Sequence, residues 1–175
     1  MRVLLVYPRF PKSFWSFEEA LALVNRKTFL PPLGLITVAA ILPQEWEFHL
    51  VDCNLREVTA AEWEWADLVV VSAMIVQKED FNTQIQTAKR YGKPVAVGGP
   101  YPTALPAEVE ATGADYLILD EGEITLPMFV EALERGESSG KFRADEKPDV
   151  TQTPIPRYDL LDLQAYDNMS VQFSR

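Results

Sequence analysis

Five short apolar runs punctuate the chain: Val3 to Val6, Trp46 to Val51, Asp67 to Val71, Val95 to Val97 and Tyr116 to Leu119. Each is rich in aliphatic or aromatic residues, too short for a buried helix, and soon followed by Pro, Gly or a polar residue. That pattern predicts strands buried on both faces. Between the strands the apolar spacing turns helical. Leu35, Val38, Ala39 and Leu42 fall on one face of a helix that follows Pro31-Pro32-Leu33-Gly34 and stops at Pro43. Phe81, Ile85 and Ala88 mark a helix ending at Gly92, and Leu126, Phe129, Val130 and Leu133 mark one ending at Gly136. A weaker helix is expected from Pro106 to Ala111, closed by Gly113.

Two capping-box spacings add shorter helices. Ser16-Phe17-Glu18-Glu19, inside a long insertion over residues 8–31, predicts a helix through about Asn25; Thr59-Ala60-Ala61-Glu62 predicts two turns reaching Ala66. Five strands alternating with helices imply an α/β fold with right-handed crossovers. The expected architecture is a flavodoxin-like (Rossmann-like) three-layer sandwich, its five-stranded parallel sheet ordered 2-1-3-4-5. From Glu137 the texture changes to Gly, Ser, Lys, Asp, Thr and Pro through Pro156, as in a linker or a strap along the surface, so residues 1–136 read as the domain and 137–175 as a segment leading elsewhere. Tyr158 to Tyr166 has room for a turn or two of helix. Ser170 to Arg175 reads as the start of a strand without a partner, as though the chain were the front part of something longer.

Composition narrows the functional classes. A net charge of −10 argues against a nucleic-acid or anionic-membrane surface, either of which needs a basic patch. No apolar run approaches the roughly 20 residues of a membrane span. Met1-Arg2-Val3-Leu4-Leu5-Val6-Tyr7-Pro8 is too short and strand-like for a secretory signal. The single cysteine, Cys53, excludes an internal disulfide and, weakly, suggests a reducing compartment; a cytoplasmic location is expected.

Ligands of an open parallel sheet lie beyond the carboxyl ends of its strands. Collected there are Tyr7-Pro8-Arg9, Asp52, Ser72-Ala73-Met74, Gly98-Gly99-Pro100-Tyr101 and Asp120-Glu121-Gly122-Glu123. Tyr7-Pro8-Arg9-Phe10-Pro11 lacks the glycines of a dinucleotide fingerprint, a flavin-phosphate cradle or a P-loop. A phosphoacceptor receiver needs acidic residues where Tyr7 and Ser72 stand. His49, the lone histidine, lies within a strand and reads as packed or surface-facing, so histidine acid–base chemistry is not expected. Cys53 has no CxxC partner and reads as inert. Trp15, Trp46, Trp63 and Trp65 read as packing residues. Glu121 and Glu123 could form a carboxylate pair or begin a helix, where negative charge meets the dipole. The glycine pair serves a tight strand-to-helix turn and equally could floor a ligand cleft. With Ser72 and Ala73, Gly98 and Gly99 outline a cleft of small residues, suited to a flat, mostly apolar group between sheet and helix.

These pieces together resemble the amino-terminal cobalamin-binding domain of B12-dependent radical-SAM proteins. The resemblance runs from Val3-Leu4-Leu5-Val6-Tyr7-Pro8 through Pro31-Pro32-Leu33-Gly34-Leu35, Val97-Gly98-Gly99-Pro100-Tyr101-Pro102-Thr103 and Glu121-Gly122-Glu123-Ile124-Thr125-Leu126 to Phe173-Ser174-Arg175. It is nearest to a branch that includes hopanoid methylases. It implies that Ser72, Ala73 and Met74 flank the corrinoid's nucleotide tail and that Gly98 and Gly99 admit it. Pro100 and Tyr101 would shape its wall, Glu121, Gly122 and Glu123 would border ring or tail, and Pro32, Leu33 and Gly34 would lie nearer the ring. The family commonly has His where Tyr101 stands.

The methionine-synthase type of domain carries Asp-x-His-x-x-Gly after its first strand to ligate cobalt, and this chain does not. The resemblance therefore implies cobalamin without a protein histidine on cobalt. It also implies a parent enzyme with a C-terminal radical-SAM domain, S-adenosylmethionine and a 4Fe-4S cluster, whose Cys-x-x-x-Cys-x-x-Cys motif one cysteine cannot supply. Such a parent would be a methyltransferase on a lipid or other apolar substrate, and the chain alone would catalyse nothing. The alternative is a corrinoid-free docking or substrate-gating domain with the same fold.

Overall fold

The computed structural model describes residues 1–13, 18–169 and 171. Its strands are β1 (Arg2–Tyr7), β2 (Glu47–Asp52), β3 (Leu68–Ser72), β4 (Val95–Gly98), β5 (Tyr116–Ile118) and β6 (Gly140–Phe142). They form one sheet in the order β2-β1-β3-β4-β5-β6, with every neighbouring pair parallel. The helices are α1 (Glu18–Leu23), α2 (Leu33–Ile41), α3 (Ala60–Trp65), α4 (Lys78–Arg90), α5 (Pro100–Ala104), α6 (Pro106–Glu110) and α7 (Gly122–Glu134). The flavodoxin-like order expected for the first five strands is the order observed.

The sheet nevertheless has six strands rather than five, and the sixth comes from the segment expected to be a linker or a surface strap. Gly140-Lys141-Phe142 carries one apolar residue in three positions, too few for alternation to register in the sequence. Phe142 is buried against Phe129 of α7, their rings 5.9 Å apart, so the crossover helix, rather than any intrinsic strand signal, fixes β6. A second difference follows β4. The chain enters α5 directly at Pro100 and breaks at Leu105, because proline suits the first turn of a helix and the next one, Pro106, begins α6. The Ser16 capping box and Trp15 lie outside the described residues, as does nearly all of the strand expected over residues 170–175. The Thr59 box forms in full: Glu62 N–H donates to Thr59 Oγ1 and Thr59 N–H to Glu62 Oε2.

Helices cover both faces of the sheet. On one face Leu4, Val6, Val69, Val71, Val95, Val97 and Leu119 pack with Trp63 of α3, Phe81, Ile85 and Ala88 of α4, Tyr101 of α5 and Val109 of α6. On the other, Val3, Leu5, Leu68, Val70, Ala96, Tyr116 and Ile118 pack with Leu35 and Ala39 of α2 and Leu126, Phe129 and Ala132 of α7. Beyond β6 the chain crosses this second face as a strap. It touches α7 through Thr153, α2 through Arg157 N–H to the Ile36 carbonyl, and β2 through the Arg157 guanidinium over the Phe48 ring. It then rises to the carboxyl edge, where Thr28 and Tyr166 form a parallel bridge.

Candidate functional site

Strand alternation places the last residue of each central strand on the α2/α7 face. Tyr7 pairs with Asp52, Val6 with Val71, Ser72 with Gly98, and Gly98 with Ile118. Across the carboxyl rim the row therefore reads Asp52, Tyr7, Ser72, Gly98, Ile118. One step below it lies the apolar row Leu50, Leu5, Val70, Ala96, Tyr116. The upper row is polar at Asp52, Tyr7 and Ser72, where the lower is aliphatic, and has no side chain at Gly98.

Ser72 and Gly98 at this rim are only partly buried, and Ile118 beside them keeps 7% of its surface accessible. Gly34, exposed in the first turn of α2, has nothing within 4 Å of where a Cβ would stand. A Cβ at Gly98 would lie 3.0 Å from the Ile118 carbonyl, so larger residues crowd this end of the sheet. Gly122 starts α7 on the same side, with Leu126 Cδ1 3.3 Å from its would-be Cβ. The strand ends and the starts of both covering helices thus bring Ser72, Gly98, Gly34 and Gly122 to one side of the rim.

The two glycines after β4 have separate reasons. Gly99 has φ of 95°, in the left-handed region, and a Cβ there would come within 2.5 Å of Ser72 Oγ. Its missing side chain serves the turn and close packing; Gly98 alone borders the rim as a strand residue. Ala73 and Tyr101 are on the other face. Both are buried in the α4-side core, Tyr101 N–H donates to the Ala73 carbonyl at 3.0 Å, and the Tyr101 ring meets Phe81 edge-on at 5.4 Å. Pro100 is exposed at the start of α5, Pro32 is buried, and Leu33 is half-buried at the start of α2. Met74 projects outward beside Ile75 and Val76, all about half exposed, an apolar patch that the sequence reading did not single out.

The polar end of the rim is strongly perturbed. Asp52 is buried, accepts bonds from Asn54 N–H at 2.8 Å and Asn54 Nδ2 at 2.6 Å, and receives the Tyr166 hydroxyl at 3.2 Å. Burial still raises its pKa above the ordinary carboxylate value. Burial and the Asp52 charge push Tyr7 up to about 12 and raise Tyr166 as well. Cys53, facing the other core, is pushed up to about 12 mainly by burial and so is not a thiolate at neutral pH. His49 stacks on Trp65 with ring centroids 4.4 Å apart, in a packing role. Among the described residues no His, Cys, Asp and Glu side chains converge as a metal site, and no helix is long and apolar enough to cross a membrane.

The acidic turn after β5 is engaged by the strap. Arg143 donates to both Asp120 oxygens, Lys147 Nζ to Glu121 Oε1, and Thr153 Oγ1 to Glu123 Oε1. Glu123 also lines a cavity of about 400 Å³ with Ala40, Ile41, Pro148, Asp149 and Thr153.

Comparison with known proteins assigns the chain to a family. The sequence profile of the B12 binding domain matches residues 20–130. The chain belongs to the B12-binding domain family. An uncharacterized methyltransferase of Synechocystis sp. is 69% identical to this B12-binding domain over 175 residues, and the match spans 100% of the chain and 33% of that relative. The hopanoid C-2 methylase of Rhodopseudomonas palustris is 36% identical over 178 residues, covering 99% of the chain and 33% of that protein. An uncharacterized methyltransferase of Pyrococcus horikoshii is 29% identical over 199 residues, covering 99% of the chain and 41% of the relative. The B12-binding domain thus spans a third to two fifths of the length of these curated relatives. The row at the strand ends, Asp52, Tyr7, Ser72, Gly98 and Ile118, is smallest at Ser72 and Gly98, the two positions where a flat, partly apolar group of the kind the family name implies would meet the least side-chain bulk.

Proposed function

We propose that the chain is the cobalamin-holding module of a larger cytoplasmic radical-SAM enzyme, and that this enzyme methylates an apolar substrate. The observation that carries the reading is the Ser72–Gly98 pair, set on the α2/α7 face beneath helices that begin with Leu33-Gly34 and Gly122. The likeness to a hopanoid methylase supports an apolar substrate. Bound cobalamin would supply a methyl group carried on its cobalt for transfer.

The chain's own residues hold and orient. Ser72 and Gly98 floor the slot, Gly34 keeps the start of α2 free of a side chain, Gly122 lets Leu126 pack close at the start of α7, and Tyr7 closes its β1 end. The half-exposed Met74, Ile75 and Val76 extend an apolar surface from the β3 end. His49, packed on Trp65 within β2, is the chain's only histidine, so the chain offers cobalt no histidine at the rim. The C-terminal portion of the parent would bring S-adenosylmethionine and the 4Fe-4S cluster.

Titration of the purified protein with hydroxocobalamin under reducing conditions tests this reading. A saturable absorbance change and co-elution of the corrinoid on gel filtration are expected. Absence of both would leave the fold with a docking or substrate-gating role instead.

A further inference from the structure

The β5–α7 turn has an unusual backbone and an unusual set of partners. Asp120 has φ of 62°, a left-handed conformation that non-glycine residues adopt infrequently. Its N–H donates to Thr103 Oγ1 at 2.9 Å, while Arg143 grips its carboxylate at 3.0 and 3.1 Å and holds its pKa below the ordinary value. Lys147 reaches Glu121 at 2.7 Å, and Thr153 reaches Glu123 at 2.8 Å. The acidic side chains of residues 120, 121 and 123 each have a partner within the eleven-residue stretch of the strap from Arg143 to Thr153. Arg143 and Lys147 are 52% and 79% exposed, so neither is placed there to fill the core.

We infer that Arg143, Lys147 and Thr153 are positioning residues for the nucleotide tail of the corrinoid. They fix the turn that follows Ile118, the strand neighbour of Gly98, and whose Asp120 N–H meets Thr103 just after the β4 glycines; this rests on the cobalamin reading above. The carboxylates of the turn are anchors for the strap, and what the turn presents to the ligand is Gly122 and its backbone. Exposed ion pairs contribute little singly, so the effect lies in their joint hold on one left-handed turn. Because the turn borders the tail slot, loosening it weakens a corrinoid with a tail more than one without.

The test compares hydroxocobalamin with cobinamide, which lacks the nucleotide tail, in absorbance titrations of the wild-type protein and of an Arg143→Ala/Lys147→Ala variant. The variant is expected to lose about three- to ten-fold in affinity for cobalamin while its cobinamide affinity stays within about two-fold of wild type. The charge-conserving Arg143→Lys/Lys147→Arg variant is expected to recover part of the loss, and thermal unfolding of each variant without ligand reads global stability separately. Equal weakening of both corrinoids, or no change in either, overturns the positioning role while the cobalamin reading survives. Failure of the wild type to bind either corrinoid overturns both.

Discussion

On the face covered by α3, α4, α5 and α6, the last strand positions are Val71, Val97 and Leu119, none of which retains accessible surface. On the face covered by α2 and α7, the corresponding end row is Asp52, Tyr7, Ser72 and Gly98, with Ile118 partly reached by solvent. The two faces share the same strands and backbone hydrogen bonds, and differ in side-chain volume at one row. The filled face supplies stability and, on the cobalamin reading proposed above, the small Ser72 and Gly98 of the other, thinned face supply the room, so mutations on the two should separate folding from binding.

The largest effect is expected on the filled face. Phe81 is fully buried against the Tyr101 ring, and Phe81→Ala leaves a cavity that α4 cannot collapse into without losing Ile85 and Ala88 contacts. A loss of about 3–5 kcal/mol is expected in urea unfolding, with unchanged corrinoid affinity in the fraction that remains folded. Gly98→Val is the opposite case. Its side chain would press on the Ile118 carbonyl at 3.0 Å, destabilising by about 1–3 kcal/mol, yet it should reduce hydroxocobalamin affinity by more than about ten-fold. If both substitutions move stability and binding together, the division of labour between the faces is wrong.

Much of this division was legible in the sequence. The strand runs, the order of the first five strands and the Ser72–Gly98 juxtaposition follow from apolar periodicity and the rule for ligands of parallel sheets. Which face each residue takes was not legible, because the run Val95-Ala96-Val97-Gly98 is apolar throughout and alternation leaves no trace in a doubly buried strand. The family resemblance puts Tyr101 on the cleft wall, whereas α5 begins so soon after Gly99 that its ring turns into the opposite core. A surface strap after Glu137 was one of the two readings the composition allowed, but the partners that pin it were not legible. Its contacts are single side chains spread over residues 143–166, each meeting a partner distant in sequence, and no local pattern encodes that.

A smaller effect concerns α3, which seals the filled face although it is only six residues long. Glu62 accepts from the Thr59 backbone and from Arg56, and these bonds lower its pKa to about 2. Thr59→Ala is expected to remove about 1 kcal/mol of stability. The folded pKa lies below the ordinary 4.5, so Glu62's contribution is present above pH 4.5 and lost as pH falls toward 2. Unfolding curves of wild type and Glu62→Gln should converge across that interval; parallel curves would show that Glu62 does not stabilise the helix through its charge.

The smallest effect belongs to the thinned face and has the opposite sign. Asp52 lies at the β2 end of the rim with its pKa raised, chiefly by burial, so the folded state holds its proton more tightly than the unfolded chain does. Ionisation therefore weakens the fold as pH climbs from the ordinary carboxylate value through the raised one. Asp52→Asn keeps an oxygen for the two Asn54 bonds and offers an amide N–H to the Tyr166 hydroxyl, removing the buried charge without changing shape. Chemical denaturation at several pH values should place the variant level with wild type near pH 4 and above it at pH 7, with a gap smaller than that of Thr59→Ala. A variant less stable than wild type at pH 7 would mean that the ionised carboxylate, held by Asn54 and Tyr166, is itself part of what closes this end of the slot.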